Sequence, residues 1–186
     1  MSTYIVRTWS TDKNYGKALN DFISLIPNAD DIVVITDGDV MFLTPDFGKQ
    51  IEEITEANPG TDIFGCMMNR IGVPEQRILQ ADYLYYESDI NIHFNIANNN
   101  YFMRNNIIRT MVKPTNGPIA AACMWFRRSV WDQVKFRENS IRFDIEFTFE
   151  ARKKGFKLGI APGLYVFHLY RWGSSDPAND YKHLLK

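Results

Sequence analysis

A short run of β-branched residues, Ile32-Val33-Val34-Ile35, leads through one residue to the acidic tripeptide Asp37-Gly38-Asp39. Such an apolar run is typical of a strand that is buried on both faces of a sheet. In open α/β sheets, ligands bind beyond the carboxyl ends of the strands, which is where both carboxylates stand. Carboxylate oxygens suit Mg²⁺ and Mn²⁺, and Gly38 lets the backbone pass close to a ligand. The pattern therefore predicts a divalent-metal site, while an acidic turn remains the alternative interpretation.

The first 70 residues alternate between strand patterns and helix patterns. Strands are predicted at residues 4–7, 32–36 and 63–68, and helices at residues 17–25 and 49–57. This alternation is typical of an α/β domain whose mostly parallel sheet is flanked by helices. A chain of 186 residues is long enough for one such domain with a sizeable core. We therefore expect a single domain over residues 1–172 and a C-terminal tail over residues 173–186.

The second half of the chain carries weaker patterns. Residues 119–126, 158–161 and 164–167 are strand candidates. Residues 71–114 are predicted either as loops and short elements around a partner site, with acceptor contacts expected at residues 83–106, or simply as surface loop. Residues 143–149 alternate between apolar and acidic residues, a period that also fits a strand. However, the cations at residues 152–154 and Gly155 are typical of a helix C-terminus. We therefore predict a helix with Asp144 in its first turn.

Composition excludes several classes of protein. The net charge of −1 gives no electrostatic footprint for nucleic acid, so no nucleic-acid partner is expected. Neither a secretory leader nor an apolar run of the ~20 residues that span a bilayer is present in the sequence. The two cysteines, Cys66 and Cys123, lie in apolar runs without metal-ligand spacing, as expected of buried free thiols in a reducing compartment. These features predict a cytoplasmic protein without a transmembrane segment.

Four motifs, in order along the chain, resemble the catalytic domain of family 2 glycosyltransferases, which have the GT-A fold. They are Asn14-Tyr15-Gly16-Lys17-Ala18, the Asp37-Gly38-Asp39 tripeptide, the small-residue segment 117–121 that leads to Arg127-Arg128, and the segment from Phe143-Asp144 through Gly155 to His168. In that family a Glu-Asp pair begins a helix that ends at a Gly twelve positions after the Glu. Here Asp144 falls on the Asp of the pair, and Phe143 replaces the Glu. The resemblance implies a GT-A-like, Rossmann-like domain with nucleotide-sugar-dependent glycosyltransferase activity.

The resemblance also implies roles for individual residues. Asp37, Asp39 and His168 would bind Mn²⁺ or Mg²⁺ against the diphosphate of a nucleotide-sugar donor, with a UDP-sugar favoured. Asp144 would take the proton from a hydroxyl of a carbohydrate or other acceptor, with inversion at the anomeric carbon. Glu146 is the rival base, because the alternating pattern leaves its facing open. The residues expected to contact the donor are Arg7, Thr8, Trp9, Lys17, Asp37, Gly38, Asp39, Asn69, Arg70 and Arg171.

The chain also departs from the family, and two other classes stay open. One strand–helix unit before Asn14 is missing or remodelled, which leaves residues 7–9 and 69–70 to form the nucleoside pocket. A haloacid dehalogenase-type phosphatase also places Asp-x-Asp after an apolar strand and uses the first Asp as its nucleophile. Met41 stands where that family has Thr or Val, and the phosphatase reading gives His168 no role. A nucleotide- or carbohydrate-binding module without catalysis is the third alternative.

Overall fold

The computed structural model of the protein describes residues 1–78, 82–102 and 107–169. In these residues the elements are β1 (Thr3–Val6), α1 (Tyr15–Ile23), β2 (Ile32–Thr36), β3 (Val40–Phe42), α2 (Phe47–Ala57), β4 (Ile63–Met68), α3 (Ile90–Phe102), α4 (Ile107–Thr110), β5 (Lys113–Thr115), β6 (Cys123–Arg127), α5 (Arg128–Gln133), α6 (Phe143–Lys153) and β7 (Leu158–His168). Short 3₁₀ turns stand at Pro74–Gln76 and Asp82–Tyr85. The predicted tail at residues 173–186 lies outside the described residues.

The strands of the described chain form one mixed sheet in the order β1-β2-β6-β4-β7-β3, with β5 also paired to β7. β1 pairs in parallel with β2, and β4 pairs in parallel with β7. β6 runs antiparallel between β2 and β4, while β3 and β5 pair antiparallel with β7. The predicted α/β class is confirmed. The sheet is mixed instead of mostly parallel, because only two of the six pairings among the described strands are parallel.

Buried residues on both faces of β2 explain its continuous apolar sequence. Val33 and Ile35 pack into one core cluster together with residues of α1, α5 and α6. Ile32 and Val34 point to the other face and pack with residues of α2. Because successive side chains of a strand point to opposite faces, a strand between two helical layers needs apolar residues at every position. The sheet thus holds the end of β2 rigidly, with Asp37 following directly.

The long strand β7 corrects the prediction of two separate strands. Its 11 residues run through Pro162 and Gly163, where the pairing with β4 shifts from Cys66–Ala161 to Met67–Tyr165. The shift is a β-bulge, which accommodates extra residues in one strand without ending the pairing. Since β7 continues past the bulge, its last residue, His168, reaches the same edge of the sheet as the end of β2.

A helix, α3, replaces much of the region predicted as loops. Its sequence is rich in Asn, which has a low intrinsic helix propensity. Packing against β7 supports the helix, since Ala97 is fully buried in one cluster with Tyr165 and Phe167. The buried His93 accepts a hydrogen bond at Nδ1 from the Tyr165 hydroxyl at 2.8 Å, and its Nε2–H donates to the Glu87 carbonyl. Tertiary contacts therefore override the weak local signal.

Candidate metal centre

Two acidic side chains follow the end of β2 in a tight turn. The backbone N–H of Asp37 donates to the Ala122 carbonyl at 3.3 Å, and the Asp37 carbonyl accepts from Val40 N–H at 3.3 Å. The Asp37 side chain is 52 % exposed and that of Asp39 is 34 % exposed. Gly38 lies between them with open space around its Cα and a φ outside the left-handed region. The turn itself therefore does not need a glycine.

His168, the last residue of β7, completes this cluster. Pairing of His168 with Val40 of β3 brings the imidazole to the turn. Its Nε2 lies 3.3 Å from Oδ1 of Asp39 and 3.8 Å from Oδ2 of Asp37. One ligand atom from each of the three residues lies within 4.8 Å of the other two. The sequence-predicted metal ligands are therefore together in space.

The orientation of the buried His168 ring is fixed by a hydrogen bond at Nδ1. Its Nδ1 lies 2.8 Å from the carbonyl oxygen of Arg70, which can only accept a hydrogen bond. Nδ1 therefore carries a hydrogen, and Nε2 faces the two carboxylates, where its lone pair can bind a cation whenever the imidazole is neutral. A histidine whose second nitrogen donates to a carbonyl is the usual arrangement at metal sites. Two carboxylates and one neutral imidazole suit a divalent first-row cation such as Mn²⁺.

Electrostatic crowding marks the same cluster. Removal from water raises the pKa of Asp37, His168 opposes that rise, and the charges of Asp39 and Asp144 add to it. Neighbouring carboxylates that cannot all ionise comfortably favour a bound cation, because the cation offsets their repulsion. The contribution of Asp144 also shows that its carboxylate lies within electrostatic reach of Asp37.

Asp144 stands in the first turn of α6, as predicted, and Gly155 follows the helix at φ +90°. The Oδ2 atom of Asp144 accepts a hydrogen bond from the Ala121 N–H at 3.1 Å, and its Oδ1 atom accepts one from the Ile145 N–H at 2.7 Å. Burial raises the pKa of Asp144 despite these hydrogen bonds, which favour the ionised form. A carboxylate that is fixed by backbone groups and has a raised pKa is suited to accept a proton.

The structure separates Glu146 from this cluster. Two residues along an α-helix correspond to a rotation of about 200°, so Asp144 and Glu146 point to different sides of α6. Glu146 lies 3.6 Å from the guanidinium of Arg137. It also lines a groove of about 350 Å³ together with Arg142 and Phe149. Of the two candidate bases, Asp144 is the one whose charge contributes to the raised pKa of Asp37.

Of the residues in the N-terminal half that were predicted to contact the donor, some lie beside the acidic turn and others, within the described part of the chain, have no contact that connects them to it. Nη2 of Arg7 donates to the Val40 carbonyl at 3.0 Å, which places Arg7 beside the turn that carries Asp39. Thr8 is half-buried, and Trp9 is 80 % exposed on the following loop. Lys17 forms an ion pair with Asp21 within α1. Among these residues, Arg7 has a contact that connects it to the cluster.

Asn69 and Arg70 lie behind His168, in the interior. The exposed fraction is 3 % for Asn69 and 2 % for Arg70. Both contact His168, and the Arg70 guanidinium also donates to the carbonyls of Tyr85 and Leu169. Arg171, the last predicted donor contact, lies outside the described residues.

Sequence reasoning missed the backbone of residues 120–122. Ala122 accepts from the Asp37 N–H and Ala121 donates to Asp144, so this segment lies between the two acids. Gln76 fixes the segment, since its buried Oε1 accepts from Ala120 N–H at 2.8 Å. The run of alanines predicted a strand here, but no side-chain signal indicates which residues its peptide groups bind.

No helix in the described part of the chain is long and apolar enough to cross a bilayer. A scan against models of protein families and a search among curated proteins both find no match to this chain.

Proposed function

We propose that the protein is a GT-A-like, metal-dependent glycosyltransferase that transfers a sugar from a nucleoside-diphosphate sugar to an acceptor hydroxyl, with inversion. The observation that carries the proposal is the convergence of Asp37, Asp39 and His168 at one edge of the sheet, with Asp144 within electrostatic reach of Asp37. A cation-binding set beside a separately anchored carboxylate provides the two functions that such a transfer needs. The four sequence motifs support the same assignment.

Asp37, Asp39 and His168 would hold the cation, with Mn²⁺ or Mg²⁺ as the candidates. The donor atoms fit such an ion, since two are carboxylate oxygens and the third is an imidazole nitrogen whose partner nitrogen is occupied. When bound, the cation would supply the positive charge that stabilises a departing nucleoside diphosphate. Arg7, held beside the turn by its bond to Val40, would add a second positive charge for the diphosphate.

Asp144 would act as the general base toward the acceptor hydroxyl. The Ala121 and Ile145 N–H groups fix its carboxylate, so little reorientation is needed when it takes the proton. Its raised pKa brings its basicity closer to that needed near neutral pH. Glu146 faces the groove on the other side of α6, where Arg137 is its charged partner.

The donor class is tested first by calorimetric titration with UDP and with GDP, each with and without Mn²⁺. We expect one of the two nucleotides, with UDP favoured, to bind only in the presence of the metal. Metal-dependent binding without cleavage of any sugar nucleotide would favour the non-catalytic binding module. Release of phosphate from a phosphomonoester, blocked in Asp37→Asn, would favour the phosphatase.

The base is tested by a matched pair of isosteric substitutions, Asp144→Asn and Glu146→Gln. The readout is Mn²⁺-dependent release of UDP from UDP-hexoses, with and without a panel of oligosaccharide acceptors. Asp144→Asn should slow transfer by roughly 10²-fold or more while nucleotide binding persists, which is the scale of a lost general base. Glu146→Gln should leave the rate within a few-fold of the wild type. The reverse result would transfer the role of base to Glu146.

A further inference from the structure

Asn69 extends the sheet by one hydrogen bond at the point where its own strand has ended. The parallel pairing of β4 and β7 ends at Met68 and Val166. The next residue, Asn69, turns away from the ladder, and its side-chain Oδ1 accepts the backbone N–H of His168 at 2.8 Å. A side-chain amide thus does what a strand carbonyl would do in a continued ladder. The backbone of residues 69–70 is thereby released for another contact.

That released backbone supplies the second contact to the same histidine. The carbonyl of Arg70 accepts from Nδ1–H of His168 at 2.8 Å. The Arg70 guanidinium also donates to the carbonyl of Leu169, the residue after His168. Two adjacent residues therefore hold His168 by its backbone and by its ring. Because one nitrogen of the 1 % exposed ring is bound in this way, Nε2 faces Asp39.

The amide nitrogen of Asn69 indicates that this side chain does more than stabilise the fold. Its Nδ2 is buried and has no hydrogen-bond partner among the described residues. A buried donor without a partner costs at least as much free energy as a hydrogen bond such as the one made by Oδ1 contributes. The net stabilisation from this side chain is therefore small. What it does supply is a fixed position for the end of β7.

We propose that Asn69 is a positioning residue that places Nε2 of His168 in the metal site, and that the site for this reason prefers Mn²⁺ to Mg²⁺. Mg²⁺ favours oxygen ligands and retains its water, whereas Mn²⁺ accepts an imidazole nitrogen more readily. A well-placed Nε2 therefore adds affinity for Mn²⁺ in particular. Without Asn69, the two carboxylates still bind either ion, but Nε2 is no longer held in place, so the preference for Mn²⁺ over Mg²⁺ diminishes. The inference rests on the metal-binding part of the proposed function.

The test is calorimetric titration of the full chain with Mn²⁺ and with Mg²⁺ alone, without nucleotide. Asn69→Leu removes the acceptor at similar volume, and Asn69→Asp retains it. Thr55→Val, the control away from the site, removes a buried hydroxyl that donates to the Ile51 carbonyl and accepts from the Trp125 indole N–H. We expect Asn69→Leu to weaken Mn²⁺ binding by about 10- to 100-fold, the usual effect of losing an outer-shell partner, and Mg²⁺ binding far less. Asn69→Asp should retain the Mn²⁺ preference, and Thr55→Val should leave both affinities unchanged.

Unchanged Mn²⁺ affinity in a folded Asn69→Leu protein would overturn the inference. If that variant does not fold, Asn69→Ala, which removes the same acceptor without adding apolar bulk, is titrated with both ions instead. Loss of the Mn²⁺ preference in Asn69→Ala supports the inference, and an unchanged Mn²⁺ affinity overturns it. Failure of the proposed function gives a different pattern, in which the wild type binds Mn²⁺ with this preference but transfers no sugar. If the wild type binds no Mn²⁺, both proposals fail.

Discussion

Replacing Asp37 by Asn should stabilise the metal-free protein and remove its response to metal. The ligand atoms of Asp37 and Asp39 lie within 4.8 Å of each other. At 4.8 Å, two unit charges repel by about 0.9 kcal/mol in the dielectric of water and by about 3.5 kcal/mol at an effective dielectric constant of 20. Because the Asp37 side chain is 52 % exposed, the lower figure applies to this repulsion. The substitution also removes the burial cost of the carboxylate, which adds to the gain, and its attraction to His168, which reduces the gain. A gain of about 1 kcal/mol corresponds to roughly 2–4 °C in the melting temperature of a chain of this size.

Bound Mn²⁺ should reverse the order of the melting temperatures of the wild type and Asp37→Asn. A ligand at 100 times its dissociation constant stabilises the native state by about 2.7 kcal/mol, which raises the melting temperature by roughly 5–10 °C. Asp37→Asn replaces one of two anionic ligands by a neutral amide, so most of this increase should disappear. The wild type should therefore melt below the variant in a chelator and above it in Mn²⁺.

Thermal unfolding followed by circular dichroism in chelator and in Mn²⁺ gives all four melting temperatures. Asp30→Asn is the control, because it removes the same charge from an exposed position and should respond to Mn²⁺ as the wild type does. A metal-free Asp37→Asn protein that melts below the wild type would contradict the electrostatic argument. An unchanged increase in Mn²⁺ would exclude Asp37 as a ligand.

Two further predictions concern Asp144 and the packing of β7. Since the pKa of Asp144 is raised above 3.8, the folded state holds its proton more tightly than the unfolded state, and stability is lost as pH rises through the raised pKa. The stability of Asp144→Asn relative to the wild type should therefore increase from acid to neutral pH in urea titrations, and a constant difference would contradict this. Gly163→Ala would place its Cβ 2.1 Å from the Ile108 carbonyl oxygen, which should destabilise the protein by about 1–3 kcal/mol. If the free energy of unfolding falls by less than about 0.5 kcal/mol in the same titrations, the backbone of α4 moves aside to accommodate the added Cβ.

The parts of the fold that the sequence predicted carry their own local signals. β2 and β4 lie at their predicted bounds because continuous β-branched and apolar runs fit strands with both faces covered. α6 was predicted from its end, where cations precede Gly155 at φ +90°. Asp37 and Asp39 could be located because they follow directly after such a strand. Their convergence with His168 was expected from the family resemblance alone.

Other features depend on contacts that one sequence does not display. α3 forms because it packs on β7, although its asparagines are weak helix formers. β7 continues through Pro162 because a bulge restores its pairing with β4. Asn69 was expected to contact the nucleoside, yet it lies behind His168. After a strand ends, the direction of the next side chain is set by tertiary contacts, and no period in the sequence reports it.

Stability alone does not explain the acidic cluster. Burial and mutual repulsion raise the pKa of Asp37, and burial raises that of Asp144, so their ionised forms oppose folding near neutral pH. The segment Ala121-Ala122 contacts both residues, since the Ala121 N–H donates to the Asp144 carboxylate and the Ala122 carbonyl accepts from the backbone N–H of Asp37. Carboxylates whose ionised forms oppose folding, and that nevertheless occur within electrostatic reach of one another, are typical of a functional site. Because both residues contact the same short segment, the proposed metal ligand and the proposed base would keep a fixed relation, as the proposed transfer between two bound substrates requires.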